Sequence, residues 1–133
     1  MSTFWSNLSV CVTGGAGFLG SVLCRKLEGL QPRAILVPRR AECDLTRAEA
    51  AERLCREFRP DLVIHLAAEV GGIGANRARP GRFFYANMAM GLNLIEASRK
   101  HSVSKFVQIG TVCAYPKHCP PPFQESDLWD GFP

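Results

Sequence analysis

The stretch Leu8 to Gly20 constrains the fold more than any other. Leu8-Ser9-Val10-Cys11-Val12-Thr13 alternates apolar residues in the manner of a strand, and it runs directly into Gly14-Gly15-Ala16-Gly17-Phe18-Leu19-Gly20. Apolar residues then resume at helical spacing through Leu19, Val22, Leu23, Leu27 and Leu30. A strand, a tight turn and a helix in succession open a βαβ unit. The glycines suit such a turn: one allows a positive φ, another clears space for a phosphate beside the backbone, and a third brings helix and strand together. The amides at the helix start and the positive end of its dipole then face an anion, and a dinucleotide pyrophosphate is the ligand that fits. Gly14, Gly17 and Gly20 set the G-x-x-G-x-x-G spacing, and Phe18 and Leu19 lie between them at the helix start. The other common phosphate loop is excluded, because Ser21 follows Gly20 where that loop requires lysine.

The remaining segments repeat the theme. Ala34-Ile35-Leu36-Val37 reads as a parallel strand covered on both faces. It ends at Pro38-Arg39-Arg40, about 20 positions after the glycine loop, where an acidic residue holds a free ribose 2′-hydroxyl and arginine accommodates a 2′-phosphate. Arg39 and Arg40 therefore favour NADP(H) over NAD(H). Thr46 and Glu49 have capping-box spacing and begin a helix whose apolar stripe is Ala50, Ala51, Leu54, Cys55 and Phe58. Leu62 to Ala68 is the third strand, ending in small residues that let a flat ring pass close to the backbone, and His65 within it reads as a satisfied core histidine. Val70 to Asn76 reads as a glycine-rich loop at that strand's carboxyl end. A helix over Pro80 to Lys100 is expected to pack Phe84, Met88, Leu92 and Ile95 on the sheet, with Asn87 and Asn93 as polar interruptions. Lys105 to Ile109 is the fourth strand, and it delivers Gly110 to Pro116 to the same edge.

The expected fold is thus α/β: a Rossmann-like, doubly wound parallel sheet, incomplete at its first four strands with their crossover helices. All 133 residues read as one NAD(P)-binding domain portion. Composition bounds the rest. With 47% apolar and 21% charged residues the chain is an ordinary globular one. No apolar run approaches the roughly 20 residues of a membrane span, and Met1 to Asn7 lacks signal-peptide character, so no membrane partner and a cytoplasmic location are expected. The six cysteines contain no C-x-x-C spacing, which gives no metal framework and favours reduced, mostly buried thiols. Twelve of the sixteen basic residues are arginine, in keeping with an anionic ligand. Arg77, Arg79 and Arg82 before Phe83, Phe84 and Tyr85 superficially suggest a nucleic-acid surface, but the helical periodicity assigns those aromatics to a packed helix, and no nucleic acid is expected.

Taken together, Thr13 to Gly20 and His65-Leu66-Ala67-Ala68 resemble the extended short-chain dehydrogenase/reductases, the NAD-dependent epimerase/dehydratases. Val70-Gly71-Gly72-Ile73, with Asn76 shortly after, and Cys113-Ala114-Tyr115-Pro116-Lys117 are similar to the GDP-L-fucose synthase branch. The resemblance implies 3,5-epimerisation and 4-keto reduction of GDP-4-keto-6-deoxy-D-mannose, with a GDP-sugar as partner and a homodimer as the assembly of the full-length form. It places Asp44, Leu45, Leu66, Ala67, Ala68 and Asn87 with the glycine loop and arginines around NADP(H). It matches Thr111 to the hydroxyl that binds the ketone oxygen, where serine is more usual, and Cys113 to the cysteine that shares acid–base work at C3 and C5. A thiol suits that work because its ordinary pKa, about 8.5, can be brought toward neutrality by positive charge. The family's Tyr-x-x-x-Lys pair has no match: Tyr85 is followed four residues on by Ala89, and Tyr115 by Cys119. The resemblance therefore implies the amino-terminal part of a longer enzyme, inactive alone and with its fourth strand left as an uncovered edge. Two alternatives stay open: a relative acting on a UDP- or dTDP-sugar, and a non-catalytic NADP-binding module.

Overall fold

A computed structural model of the chain describes residues 3–132. After a single turn of helix, α1 (Thr3–Ser6), the order is β1 (Ser9–Thr13), α2 (Phe18–Gly29), β2 (Ala34–Leu36), α3 (Ala48–Phe58), β3 (Leu62–His65), α4 (Ile73–Ala78), α5 (Pro80–Lys100) and β4 (Lys105–Gln108). Two short 3-10 turns follow, Val112–Ala114 and Glu125–Trp129. The four strands form one parallel sheet in the order β2-β1-β3-β4. Register places Thr13 beside His65, and His65 beside Gln108, so three strands end level with one another.

Alternation along the strands divides the core into two layers. Val10, Val12 and Leu62 face α2 and meet Cys24 and Leu27. Cys11 and Val63 face the other way and meet Ala51, Leu54 and Cys55 of α3 and Leu94 and Ala97 of α5. β1 is buried throughout, as expected for a strand with helices on both faces. β2 is not: it is the sheet's edge, and its three residues are half-buried rather than covered. β4 is the other edge, with Lys105 and Gln108 exposed and Phe106 and Val107 half-buried.

Several sequence expectations need correction. α5 has the expected ends, but its buried residues are Phe83, Ala86, Leu94, Ala97 and Ser98, of which Leu94 and Ala97 pack with Cys11 and Val63 of the sheet; Phe84, Met88, Leu92 and Ile95 are exposed. The helix has two apolar stripes one residue apart, and the one containing alanines wins because it allows close approach to Ala51 and Cys55 of α3. On α2, Leu19, Val22 and Leu30 are exposed, and burial falls on Gly20, Cys24 and Leu27. The Thr46/Glu49 capping box does not form: α3 starts one residue later, at an Arg47 cap with no side-chain bond, because Thr46 donates its hydroxyl to Asp44 instead (2.8 Å). The third strand ends at His65, and the glycine-rich stretch after it contains the first part of α4. Among the cysteines, Cys11, Cys24 and Cys55 are buried and Cys113 is exposed; burial pushes Cys11 up to about 12. No helix among the described residues is long and apolar enough to cross a membrane, and no group of metal-ligating side chains occurs among them.

Candidate active site

The carboxyl ends of the four strands open into one cavity of about 770 Å³, a size that suits a large small-molecule ligand. Its floor is the turn after β1. Gly14 adopts φ +72°, and a Cβ there would lie 2.7 Å from the Ala67 amide nitrogen, so the turn is in direct contact with the chain leaving β3. A Cβ on Gly20 would lie 2.2 Å from the Gly14 carbonyl oxygen, which leaves glycine as the residue that lets α2 start against this turn. Gly17 caps α2 in an extended conformation without any side-chain cap. The amides of Phe18, Leu19 and Gly20 thus form an uncapped helix start beside the cavity, where backbone donors and the helix dipole both favour an anion.

Below the turn, Thr13 and His65 fix the ends of β1 and β3. Thr13 Oγ1 lies 2.6 Å from His65 Nδ1 and accepts from the Ala67 amide at 3.4 Å. Burial holds the His65 pKa below its ordinary value, so the ring stays neutral. His65 is accordingly the satisfied core histidine the sequence suggests.

One wall carries charge. Arg39 and Arg40 follow β2 and line the cavity with Asp44 and Leu45. Asp44 accepts from both the amide and the hydroxyl of Thr46, which with neighbouring arginines holds its carboxyl below the usual range. Asn87, on α5, exchanges two hydrogen bonds with the backbone of Glu69: it accepts from the Glu69 amide (2.8 Å) and donates to the Glu69 carbonyl (2.9 Å). Asn93 is also employed, donating to the Leu45 carbonyl at 3.0 Å. Both polar interruptions of α5 therefore tie it to the cavity rim.

The structure places all thirteen expected cofactor positions along this one cavity: Gly14, Gly17, Phe18, Leu19, Gly20, Arg39, Arg40, Asp44, Leu45, Leu66, Ala67, Ala68 and Asn87. Thr111 lines it too, beyond β4. Cys113 does not: it is exposed on the 3-10 turn, its amide donating to Thr111 Oγ1 at 3.2 Å. Thr111 caps that turn and so sets where Cys113 is carried. The lining also includes Glu69 and Gln108, which the sequence did not single out. Glu69 is bound by Arg82, thirteen residues on; no short-range pattern signals that pairing.

The residues present fit a nicotinamide dinucleotide on two observations: the glycine turn has no room for side chains, and the uncapped helix start and the arginines lie along a single cavity.

Comparison with known proteins agrees with this geometry. Residues 10–131 match the NAD dependent epimerase/dehydratase family. The chain is 38% identical over 122 residues to a GDP-L-fucose synthase of Sinorhizobium fredii, covering 92% of this chain and 38% of the relative. Among solved structures it is similar to a GDP-mannoheptose C4 reductase from Campylobacter jejuni with NADP bound (TM-score 0.86, 28% identity, 98% of this chain and 40% of that one). It is likewise similar to a GDP-L-fucose synthetase from Naegleria fowleri bound to NADP (TM-score 0.82, 28% identity, 95% and 38%). The chain thus spans about two-fifths of the length of these relatives.

Proposed function

Since this chain belongs to the NAD dependent epimerase/dehydratase family, we propose that it forms the cofactor-binding part of an NADP-dependent nucleotide-sugar epimerase/reductase acting on GDP-4-keto-6-deoxy-D-mannose. The observation that supports this reading is that the thirteen positions expected to hold the cofactor, and Thr111, line one cavity at the strand ends. The activity belongs to the whole enzyme, to which these residues contribute a cradle and two reactive side chains.

Within the cradle, the amides of Phe18, Leu19 and Gly20 bind the pyrophosphate, and the Gly14 turn lets it reach the backbone. Arg39 and Arg40 receive the 2′-phosphate. Leu66, Ala67 and Ala68, with Leu45, line the adenosine side. The nicotinamide, when bound, supplies hydride to the sugar C4. Thr111 donates its hydroxyl to the ketone oxygen, stabilising charge that develops there. That same ketone acidifies the C–H bonds at C3 and C5, where the Cys113 sulfur exchanges a proton on one face of the enolate and a second acid–base group of the complete enzyme serves the opposite face. Cys113 is exposed and so is accessible to a sugar bound across the mouth of the cavity.

Titration with NADPH and NADH tests the cofactor assignment: NADPH should bind more tightly, and Arg39→Ala with Arg40→Ala should remove the difference. In the complete enzyme, Cys113→Ala should stop deuterium exchange at C3 and C5 yet leave reduction of an already epimerised ketone. Retained exchange would remove Cys113 from the mechanism. Turnover of a UDP- or dTDP-sugar with none of the GDP-sugar would move the proposal to a sister substrate, and cofactor binding without any turnover would favour a non-catalytic module.

A further inference from the structure

Glu69 lies on the rim of the cavity, one residue past the small-residue stretch that follows β3. Its backbone is held at both ends by Asn87. Its carboxylate is held by Arg82, whose Nε donates to Oε1 and Nη2 to Oε2, each at 2.9 Å. These bonds keep the carboxyl below its usual pKa range, so Glu69 is charged at neutral pH. The same Oε2 is 3.6 Å from Arg40 Nη1. Arg40 and this fixed carboxylate line the same cavity, in a pair too long for a direct hydrogen bond. Its side chain is 66% exposed, whereas that of Glu69 is only 21% exposed.

We propose that Glu69 is a specificity-determining residue for the adenosine end of the cofactor: its carboxylate competes with a 2′-phosphate for Arg40, and Arg82 sets the strength of that competition by engaging the same oxygens. The proposal rests on the cofactor reading given above. An incoming 2′-phosphate must draw Arg40 from Glu69 and then lies near a like charge, so two arginines discriminate less between phosphorylated and unphosphorylated cofactor than their number suggests. Arg82 limits the effect by spreading the carboxylate's charge over a bidentate pair. A cofactor with a bare 2′-hydroxyl meets neither term. Glu69 is thus a brake on selectivity built into a site that otherwise favours phosphate.

Calorimetric titration of the protein with NADP+ and NAD+ tests this. Glu69→Gln retains the Asn87 bonds and an acceptor for Arg82; it should tighten NADP+ by roughly two- to fivefold, the range open to a surface charge pair, and leave NAD+ unaltered. Arg82→Gln frees the carboxylate for Arg40 and should weaken NADP+ relative to NAD+. Both shifts should shrink as salt is raised. If each variant changes the two cofactors alike, or neither changes the ratio, the cluster only anchors α5 to β3 and the proposal fails. Should Arg82→Gln not fold, Glu69→Gln decides alone. Failure of the unaltered protein to bind either cofactor would overturn the cofactor reading itself, an outcome distinct from an unchanged ratio.

Discussion

Thr13 Oγ1 and His65 Nδ1 stand 2.6 Å apart at the paired ends of β1 and β3, both residues buried, directly beneath the glycine turn. The contact is a hydrogen bond whose direction follows the ring tautomer: the threonine hydroxyl donates to Nδ1 when the ring proton is on Nε2 and accepts from it when the proton is on Nδ1. It also couples core to site, because Thr13 Oγ1 accepts from the Ala67 amide, and that amide is in contact with Gly14.

Replacing Thr13 by valine keeps the shape and removes the hydroxyl. His65 Nδ1 is then buried without its partner, which costs about 1–3 kcal/mol. Urea denaturation should report this loss for Thr13→Val and recovery of most of it for Thr13→Ser; equal stability of valine and threonine would contradict the pairing.

The same histidine sets a pH dependence. Burial lowers its folded pKa below the ordinary 6.5, so below that value the unfolded chain binds the proton more readily. The contribution is therefore fully present above pH 6.5 and is lost as pH falls from there toward the folded pKa. Denaturation midpoints measured from about pH 5 to 8 should fall on the acid side, and the slope should flatten in His65→Gln. Parallel slopes for the two proteins would argue against a buried neutral ring.

Glycines on α2 should separate sharply. Gly20→Ala drives a Cβ to 2.2 Å from the Gly14 carbonyl and 2.5 Å from Gly15 Cα, both backbone, so the turn itself must shift. The expected cost is about 1–3 kcal/mol together with lost cofactor affinity. Gly29→Ala, at the far end of the helix with open space around it, should be neutral or stabilising by up to about 1 kcal/mol. Thermal melts and NADPH titrations of the two variants would show whether the turn is as tight as described.

On α5, two neighbouring phenylalanines test which face is packed. Phe83 is 8% exposed and Phe84 71%. Phe83→Ala should cost about 3 kcal/mol or more, whereas Phe84→Ala should stay within about 0.5 kcal/mol. The reverse order would restore the face that periodicity alone suggested.

Features carried by neighbouring residues were legible without a fold. The glycine turn, the strand runs and both ends of α5 depend on local backbone preference, and Pro80 marks its start where a missing amide costs nothing. The place of Arg39 and Arg40 beside the cavity was legible because position after a glycine turn has chemical meaning. The face of α5 was not legible, since its two apolar stripes satisfy the same helical period, and the choice falls to whichever lets α3 approach. Nor was the capping of α3, where Asp44 took the Thr46 hydroxyl before the helix could.

What the chain alone declares is a parallel α/β scaffold with a glycine turn leading into a helix after its first strand, because spacing and residue type act over a few positions. Folding added what distance in sequence conceals: β2 placed at an edge, Thr13 joined to His65 across 52 residues, and Glu69 set between Arg40 and Arg82. Those relationships exist because strands pair in an order different from their order in the chain, and charges separated along the backbone meet where strand ends converge.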